Sequence, residues 1–228
     1  MVKDYRNKVG QRTGGIKLYD ELKADFVPNG IKMGRDKFYD FLRLHDLLVP
    51  KLKNYDTTTD SNHNFRKYKN LIKDKVPNRP EQLWVCDITY IKTENGHNYL
   101  AIVTDAYSKQ IMGYKLADHM RTSLCIEALE MAIKNRRYPY LKLILHSDRG
   151  LQYCNPGYTE FAEKNGMTLS MTEHYDPYEN AIAERINRTL KYEYGLKQTI
   201  KNTAIAQKMT KQAVYIYSTI LEPILVSI

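Results

Sequence analysis

The 228-residue chain is 43% hydrophobic and 27% charged, enough for one medium domain with a smaller one beside it and too apolar for wholesale disorder. Its net charge of +9 is uneven: residues 1–80 hold 18 Lys/Arg against 10 Asp/Glu, whereas residues 81–228 are nearly balanced, which suits a part that grips a polyanion beside a part that works on it. The start MVKDYRNKVGQRTGG has no apolar stretch of a signal peptide, no run is apolar enough for a membrane span, and Cys86, Cys125 and Cys154 form neither a CxxC pair nor zinc spacing with the histidines. Secretion, membrane insertion, a disulfide framework and a zinc finger are therefore not expected, and a cytosolic (nucleoid) location is.

Residues 14–48 read as two helices joined by the turn FVPNGIKMG. Ile16, Leu18, Tyr19 and Leu22 form one stripe, and Phe38, Phe41, Leu42 and Leu48 the next. Arg35, Lys37 and Arg43 accompany the second helix, so residues 1–49 are expected to be a small helix-turn-helix-like module in contact with DNA. Residues 50–80 lack periodicity, are rich in Thr, Asn and Lys, and read as a basic linker or extended arm. From Glu81 the pattern becomes LWVCDITYIKT, NYLAIVTDAYS and QIMGYKLA, three closely spaced strands. A helix over about 121–135, a short strand LKLILHSD, a helix over about 155–165, a strand MTLSM and a helix over about 179–196 follow. That order predicts an α/β domain on a mixed sheet.

Three acids stand where regular structure would hold them firmly. Asp87 lies within the apolar strand WVCDITY, Asp148 ends the strand LILHSD before a turn, and Glu184 sits on the helix ENAIAERINRTLKYEY. Each has a plainer reading alone: a polar residue on an open sheet face, a turn former before Gly150, an i,i+4 partner for Arg188. Together they suggest more. Clustered carboxylates repel one another unless a cation neutralises them, and an all-oxygen set selects Mg²⁺ or Mn²⁺. Two such ions about 3.5–4 Å apart suit phosphodiester chemistry.

The words WVCDITYI, LAIVTDAYSKQIMGY, HSDRGLQY and GMTLSMTEHYDPYENAIAERINRTLKYEY, with 35 residues between Asp148 and Glu184, resemble the second-reading-frame transposases of IS-three-type insertion sequences. The core of that family is similar to retroviral integrase. The resemblance runs from GGIKLYDEL to KQAVYIY and implies a ribonuclease H-like fold with a catalytic core over residues 81–217. It also implies metal-dependent DNA cleavage and strand transfer, with Asp87, Asp148 and Glu184 as catalytic and metal-binding carboxylates for two ions. At other matched positions, Asn180, Asn187, Arg188 and Lys191 are candidates for phosphate contacts near Glu184, and Ile182, Ile186 and Leu190 for the buried stripe. Gln152 and Tyr153 either touch DNA or brace the loop after Asp148, Trp84 is core, and the loop with Tyr175 and Tyr178 is a flap beside the site. Implied partners are the element ends and target DNA, further copies of the chain on that DNA, and an upstream-frame helix-turn-helix protein, fused or separate.

The ending YSTILEPILVSI departs from the family's polar ending. Codons permitted for Ser218 to Ile228, read two nucleotides later, spell Asn-Asn-Thr-Arg-Thr-His-Leu-Ser-Leu-Asp, which fits the missing pattern. Residues 218–228 are thus expected to be a frameshifted tail, with aggregation as its hazard. The alternative function is a catalytically inactive DNA-binding relic or inhibitor of transposition. A third reading, a nuclease for RNA–DNA hybrids, fits the basic N-terminal module and the acid spacing less well.

Overall fold

A computed structural model of the chain describes residues 1–10, 12–49, 63–73, 75–173 and 180–225, with side chains as far as Ile220. The expected flap residues Tyr175 and Tyr178, most of the expected linker before His63, and the end of the expected frameshifted tail lie outside the described residues.

Three helices come first: α1 (Val2–Val9), α2 (Gly15–Phe26) and α3 (Arg35–Leu44). Leu18, Leu22 and Phe26, four residues apart, form a stripe on α2 that closes on Phe38 and Leu42 of α3. The Phe26 and Phe38 rings meet at 5.6 Å. Gly30, at φ 69, makes the tight turn between the helices without a side-chain penalty. The pair is tied to the rest of the chain. Lys17 Nζ donates to Tyr194 Oη (3.0 Å) and pairs with Glu193, and a side chain at Gly10 would collide with the Glu193 carbonyl.

The sheet has five strands in the order β3-β2-β1-β4-β5: β1 (Leu83–Thr93), β2 (Gly96–Asp105), β3 (Ile111–Ala117), β4 (Leu143–Ser147) and β5 (Met167–Met171). The first three form an antiparallel meander, with Thr93 opposite Gly96 across a two-residue turn; β4 and β5 then add parallel to β1 and to each other. Their connections are helical, as parallel pairing requires. Helix α4 (Thr122–Lys134) leads into β4, and α5 (Leu151–Cys154) and α6 (Pro156–Lys164) lead into β5. The Asn155 side chain caps α6 by accepting from the Gly157 N–H.

Alternation along β1 divides the core. Trp84, Cys86 and Ile88 face α4 and α6, whereas Leu83, Val85 and Ile91 face helices α7 (Ala181–Tyr192) and α8 (Thr203–Leu225). Asp87 falls in the second register, beneath α7. Gly113 lets α4 lie close on β3: a Cβ there would come within 2.2 Å of the Ala128 carbonyl. Among the described residues no helix is long and apolar enough to cross a membrane.

The predicted order of strands and helices from residue 81 to α7 is observed, and Trp84 is wholly buried. Helices α1, α5 and α8 are additions. The stretch 63–73, read as linker, lies along the open edge of β5: Leu71 N–H donates to Ser170 Oγ (2.9 Å) and Phe65 and Tyr68 pack on the core.

Candidate active site

Strand pairing sets the first two acids side by side. Leu83, Trp84 and Val85 of β1 stand opposite Ile144, Leu145 and His146 of β4. Two residues further along each parallel strand, that register brings Asp87 level with Asp148. The Asp148 Oδ1 accepts from the Gly150 N–H at 2.9 Å, and a Cβ on Gly150 would press within 2.9 Å of the same oxygen, so the glycine makes this close turn possible.

Helix α7 supplies the third acid and fixes the first. Asn187 Nδ2 donates to Asp87 Oδ2 at 2.7 Å, and Asn180 Nδ2 donates to the Cys86 carbonyl at 3.2 Å. Two asparagines two turns apart thus staple α7 to the backbone and side chain of β1. Glu184 lies between them in sequence, on the exposed side of the helix. The Asp87 Oδ1 also accepts from the Ile88 N–H at 2.9 Å.

Burial pushes the Asp87 carboxyl up to about 7, with the negative charges of Asp148 and, more weakly, Glu184 adding to the rise against the two hydrogen bonds that oppose it. Glu184 is raised by partial desolvation. The site therefore concentrates negative charge around Asp87. Among the described residues no three His, Cys, Asp or Glu side chains stand close enough together to hold an ion as they are. The arrangement is a level pair, Asp87 and Asp148, with Glu184 standing off on its helix. An all-oxygen pair with a raised carboxyl fits a hard divalent cation.

The other expected contacts separate into two groups. Asn180, Asn187 and Gln152 are buried and spend their amide N–H groups inside the protein, Gln152 on the Met120 carbonyl at 2.9 Å. In this arrangement their amide N–H groups brace the site. Tyr153 is likewise buried, edge-on to Tyr158. Arg188 is exposed, and Lys191 holds its ammonium 4.0 Å from the centre of the Tyr90 ring. Ile186 and Leu190 are buried beneath α7, as expected of the apolar stripe, and Ile182 is half-buried. On α3, Arg35, Lys37 and Arg43 are exposed; Arg35 pairs with Asp36 and Arg43 with Asp40. Two cavities of about 680 Å³ each lie on the N-terminal helices, and neither is lined by the three acids. The bracing role of Asn187 and Asn180 had one legible signal: with Ala183 and Leu190 they recur at helical spacing on the side that the apolar stripe buries.

A mixed sheet whose central strand and parallel neighbour each present a carboxylate, with a helix laid over them, is a ribonuclease H-like integrase core. Residues 77–177 and 165–220 match the integrase core domain family in two overlapping segments. The chain is 37% identical over 173 residues to the "Insertion element IS600 uncharacterized 31 kDa protein" of Shigella sonnei, covering 75% of this chain and 63% of that protein. It is 32% identical over 184 residues to the transposase InsF for insertion sequence IS3A of Escherichia coli strain K12, covering 80% and 62%. The chain thus spans somewhat under two thirds of the length of these relatives. Among solved structures, a chain in the simian T-cell lymphotropic virus intasome complex with PP2A regulatory subunit B56 gamma superposes with a TM-score of 0.52 at 16% identity, over 94% of this chain and 66% of that one, which shows a shared fold. Over residues 77–220 the chain is similar to the integrase core domain family, and in sequence it is similar to the transposase InsF.

Proposed function

We propose that the chain carries out DNA strand cleavage and strand transfer as the catalytic part of an insertion-sequence transposase. The observation that carries this reading is the parallel register of β1 and β4, which, continued two residues past Val85 and His146, sets Asp87 level with Asp148 just after β4, under a helix that bears Glu184 and is stapled to Asp87 by Asn187. In this reading Asp87 and Asp148 hold divalent cations from the sheet, and Glu184 holds them from the helix. Bound Mg²⁺ or Mn²⁺, two ions per site, supplies an activated oxygen nucleophile and charge stabilisation for the leaving oxygen.

The chemistry needs no covalent protein–DNA bond. Water attacks the phosphodiester at the element's end, the P–O3′ bond breaks and a 3′-OH is released; that hydroxyl then attacks a target phosphodiester and displaces another 3′-oxygen. Asn187 and the Ile88 N–H orient the Asp87 carboxylate, and the Gly150 N–H orients that of Asp148. Exposed Arg188 and half-buried Lys191 on α7 lie where a phosphate backbone would approach Glu184, and Arg35, Lys37 and Arg43 offer a second contact on the N-terminal helices. The partners in this reading are element-end and target DNA, further copies of the chain on that DNA, and an upstream-frame helix-turn-helix protein. The place of action is the bacterial cytosol and nucleoid.

The test is a nicking assay on duplex DNA carrying the element's ends, with Mg²⁺ or Mn²⁺, for the wild-type chain and Asp148→Asn. Metal-dependent nicks that vanish in the variant support the reading. Salt-sensitive DNA binding without cleavage under either metal overturns it in favour of a non-catalytic DNA-binding protein.

A further inference from the structure

Residues 63–73, HNFRKYKNLIK, contain four cations and no acid. They form a strap whose inner side is anchored and whose outer side is charged. On the inner side, Phe65 and Tyr68 pack on the main core and Ile72 on the cluster around Leu83 and Val85. Backbone and side-chain bonds fix the strap to β5 and α6. Lys69 C=O accepts from Met171 N–H (3.4 Å), Asn70 N–H donates to Glu173 Oε1 (3.1 Å), Leu71 N–H donates to Ser170 Oγ (2.9 Å), and Tyr68 Oη donates to Glu163 Oε1 (3.1 Å). On the outer side Arg66, Lys67, Lys69 and Lys73 are exposed.

Two features mark these cations. Lys23, Arg35, Arg43 and Lys115 each sit against a carboxylate, whereas among the described residues Arg66, Lys67, Lys69 and Lys73 enter no ion pair. The strap also begins at the catalytic loop. The Phe65 N–H donates to His63 Nδ1 (3.3 Å), which leaves the ring proton on Nε2 to donate to the Arg149 carbonyl (2.9 Å), one residue after Asp148. From Arg66 to Lys73 an extended chain reaches at most about 25 Å, the rise of about seven base pairs of duplex DNA.

We propose that this strap is a phosphate rail: Arg66, Lys67, Lys69 and Lys73 contact the sugar–phosphate backbone of duplex DNA along the β5 edge and guide it to Asp148. The inference rests on the transposase reading for the fate of the DNA, but the contact itself needs neither metal nor cleavage. A preformed strap presents its charges at little ordering cost, because its backbone is already bonded to the sheet. Contacts of this kind read no sequence and set the position of the duplex.

The experiment measures binding of the full chain to a duplex of about 30 base pairs, without divalent metal, by fluorescence anisotropy at salt concentrations from about 50 to 200 mM. The chain is compared with a variant carrying Arg66→Gln, Lys67→Gln, Lys69→Gln and Lys73→Gln. Each lost phosphate contact removes about 0.9 from the slope of log K against log salt, so the slope is expected to flatten by about 3 to 4. A charge-conserving set (Arg66→Lys, Lys67→Arg, Lys69→Arg, Lys73→Arg) keeps the wild-type slope, as does Lys115→Gln on the opposite edge strand. An unchanged slope in the Gln variant overturns the rail, as does loss of binding in the charge-conserving set. If the Gln variant does not fold, Lys67→Gln alone decides: a slope flatter by about 0.9 supports the rail and an unchanged slope overturns it. Nicking assays keep the two ideas apart. Wild-type cleavage with an unchanged slope in the Gln variant sinks the rail alone, and a flattened slope with no wild-type cleavage sinks the catalytic reading alone.

Discussion

Asn187 donates its amide to the Asp87 carboxylate at 2.7 Å, and this single bond ties the helix that carries Glu184 to the strand that carries the first acid. The bond is a charge-assisted one between a buried amide and a half-buried carboxylate, and its geometry helps set the direction of the Asp87 oxygens and the height of α7 over the sheet. Removing it should disturb ligand orientation more than stability. Asn187→Ala is expected to weaken Mn²⁺ affinity and nicking by about 10- to 100-fold. Metal titration alongside the nicking assay checks this; metal affinity and nicking equal to wild type in the variant would contradict it.

Asp87 makes metal-free stability depend on pH. Its folded carboxyl stands at about 7, against an ordinary value of 3.8, so the native state holds the proton more tightly than the unfolded chain. Ionisation then works against folding. The cost is absent below the ordinary value, grows as pH rises through the window and is complete above about 7. Asp87→Asn, which keeps the shape and removes the charge, should raise the metal-free melting temperature at a pH above 7 and change it little near the ordinary carboxyl value. A melting series in chelator gives the comparison. Equal effects at both ends of the range would show that burial and the Asp148 charge do not act on Asp87 as described.

Gly113 is the contact point between β3 and α4. A methyl there meets backbone atoms, the Ala128 carbonyl at 2.2 Å and the Ala132 nitrogen at 2.5 Å, and neither can rotate away. Gly113→Ala should therefore destabilise the fold by about 1–3 kcal/mol or more. Chemical denaturation measures it. A variant as stable as wild type would mean that α4 stands further from the sheet.

Glu81 closes the core at the other end of β1. Its buried carboxylate accepts from the Arg137 and Tyr138 N–H groups at 2.7 and 2.9 Å and faces the buried Arg136 guanidinium at 3.7 Å. Glu81→Ala leaves that cation and both donors without their acceptor. The expected loss is about 3–5 kcal/mol, read from the same denaturation curves.

The sheet and the acids were legible from residue 81 onward because alternation and strand length are strong there: in LWVCDITYIKT the burial of both faces makes the lone Asp87 conspicuous. Helix α8 was not, because its buried stripe runs through Ala206, Thr210, Ala213, Val214 and Tyr217, where small and polar residues carry the period in place of large apolar ones. Helix α1 was hidden for a related reason. Half of its sequence VKDYRNKV is charged, and the side chain it buries is Arg6, which reaches the Thr13 carbonyl at 3.1 Å. The asparagine staples showed only as a helical spacing with Ala183 and Leu190. Their burial depends on what β1 presents beneath them, a carbonyl at Cys86 and a carboxylate at Asp87, and that is a tertiary fact. Likewise the strap at 63–73 has the composition of a linker, and only the open β5 edge gives it a place to bind.

The central claim is that Asp87 and Asp148 share a divalent cation. Crystals soaked in Mn²⁺ and measured for anomalous scattering test it most directly. The account predicts a peak bonded to oxygens of both carboxylates, with Glu184 turned toward it or joining when DNA is bound. Well-ordered Asp87 and Asp148 side chains with no peak between them at saturating Mn²⁺, or a peak held elsewhere on the chain, would contradict it.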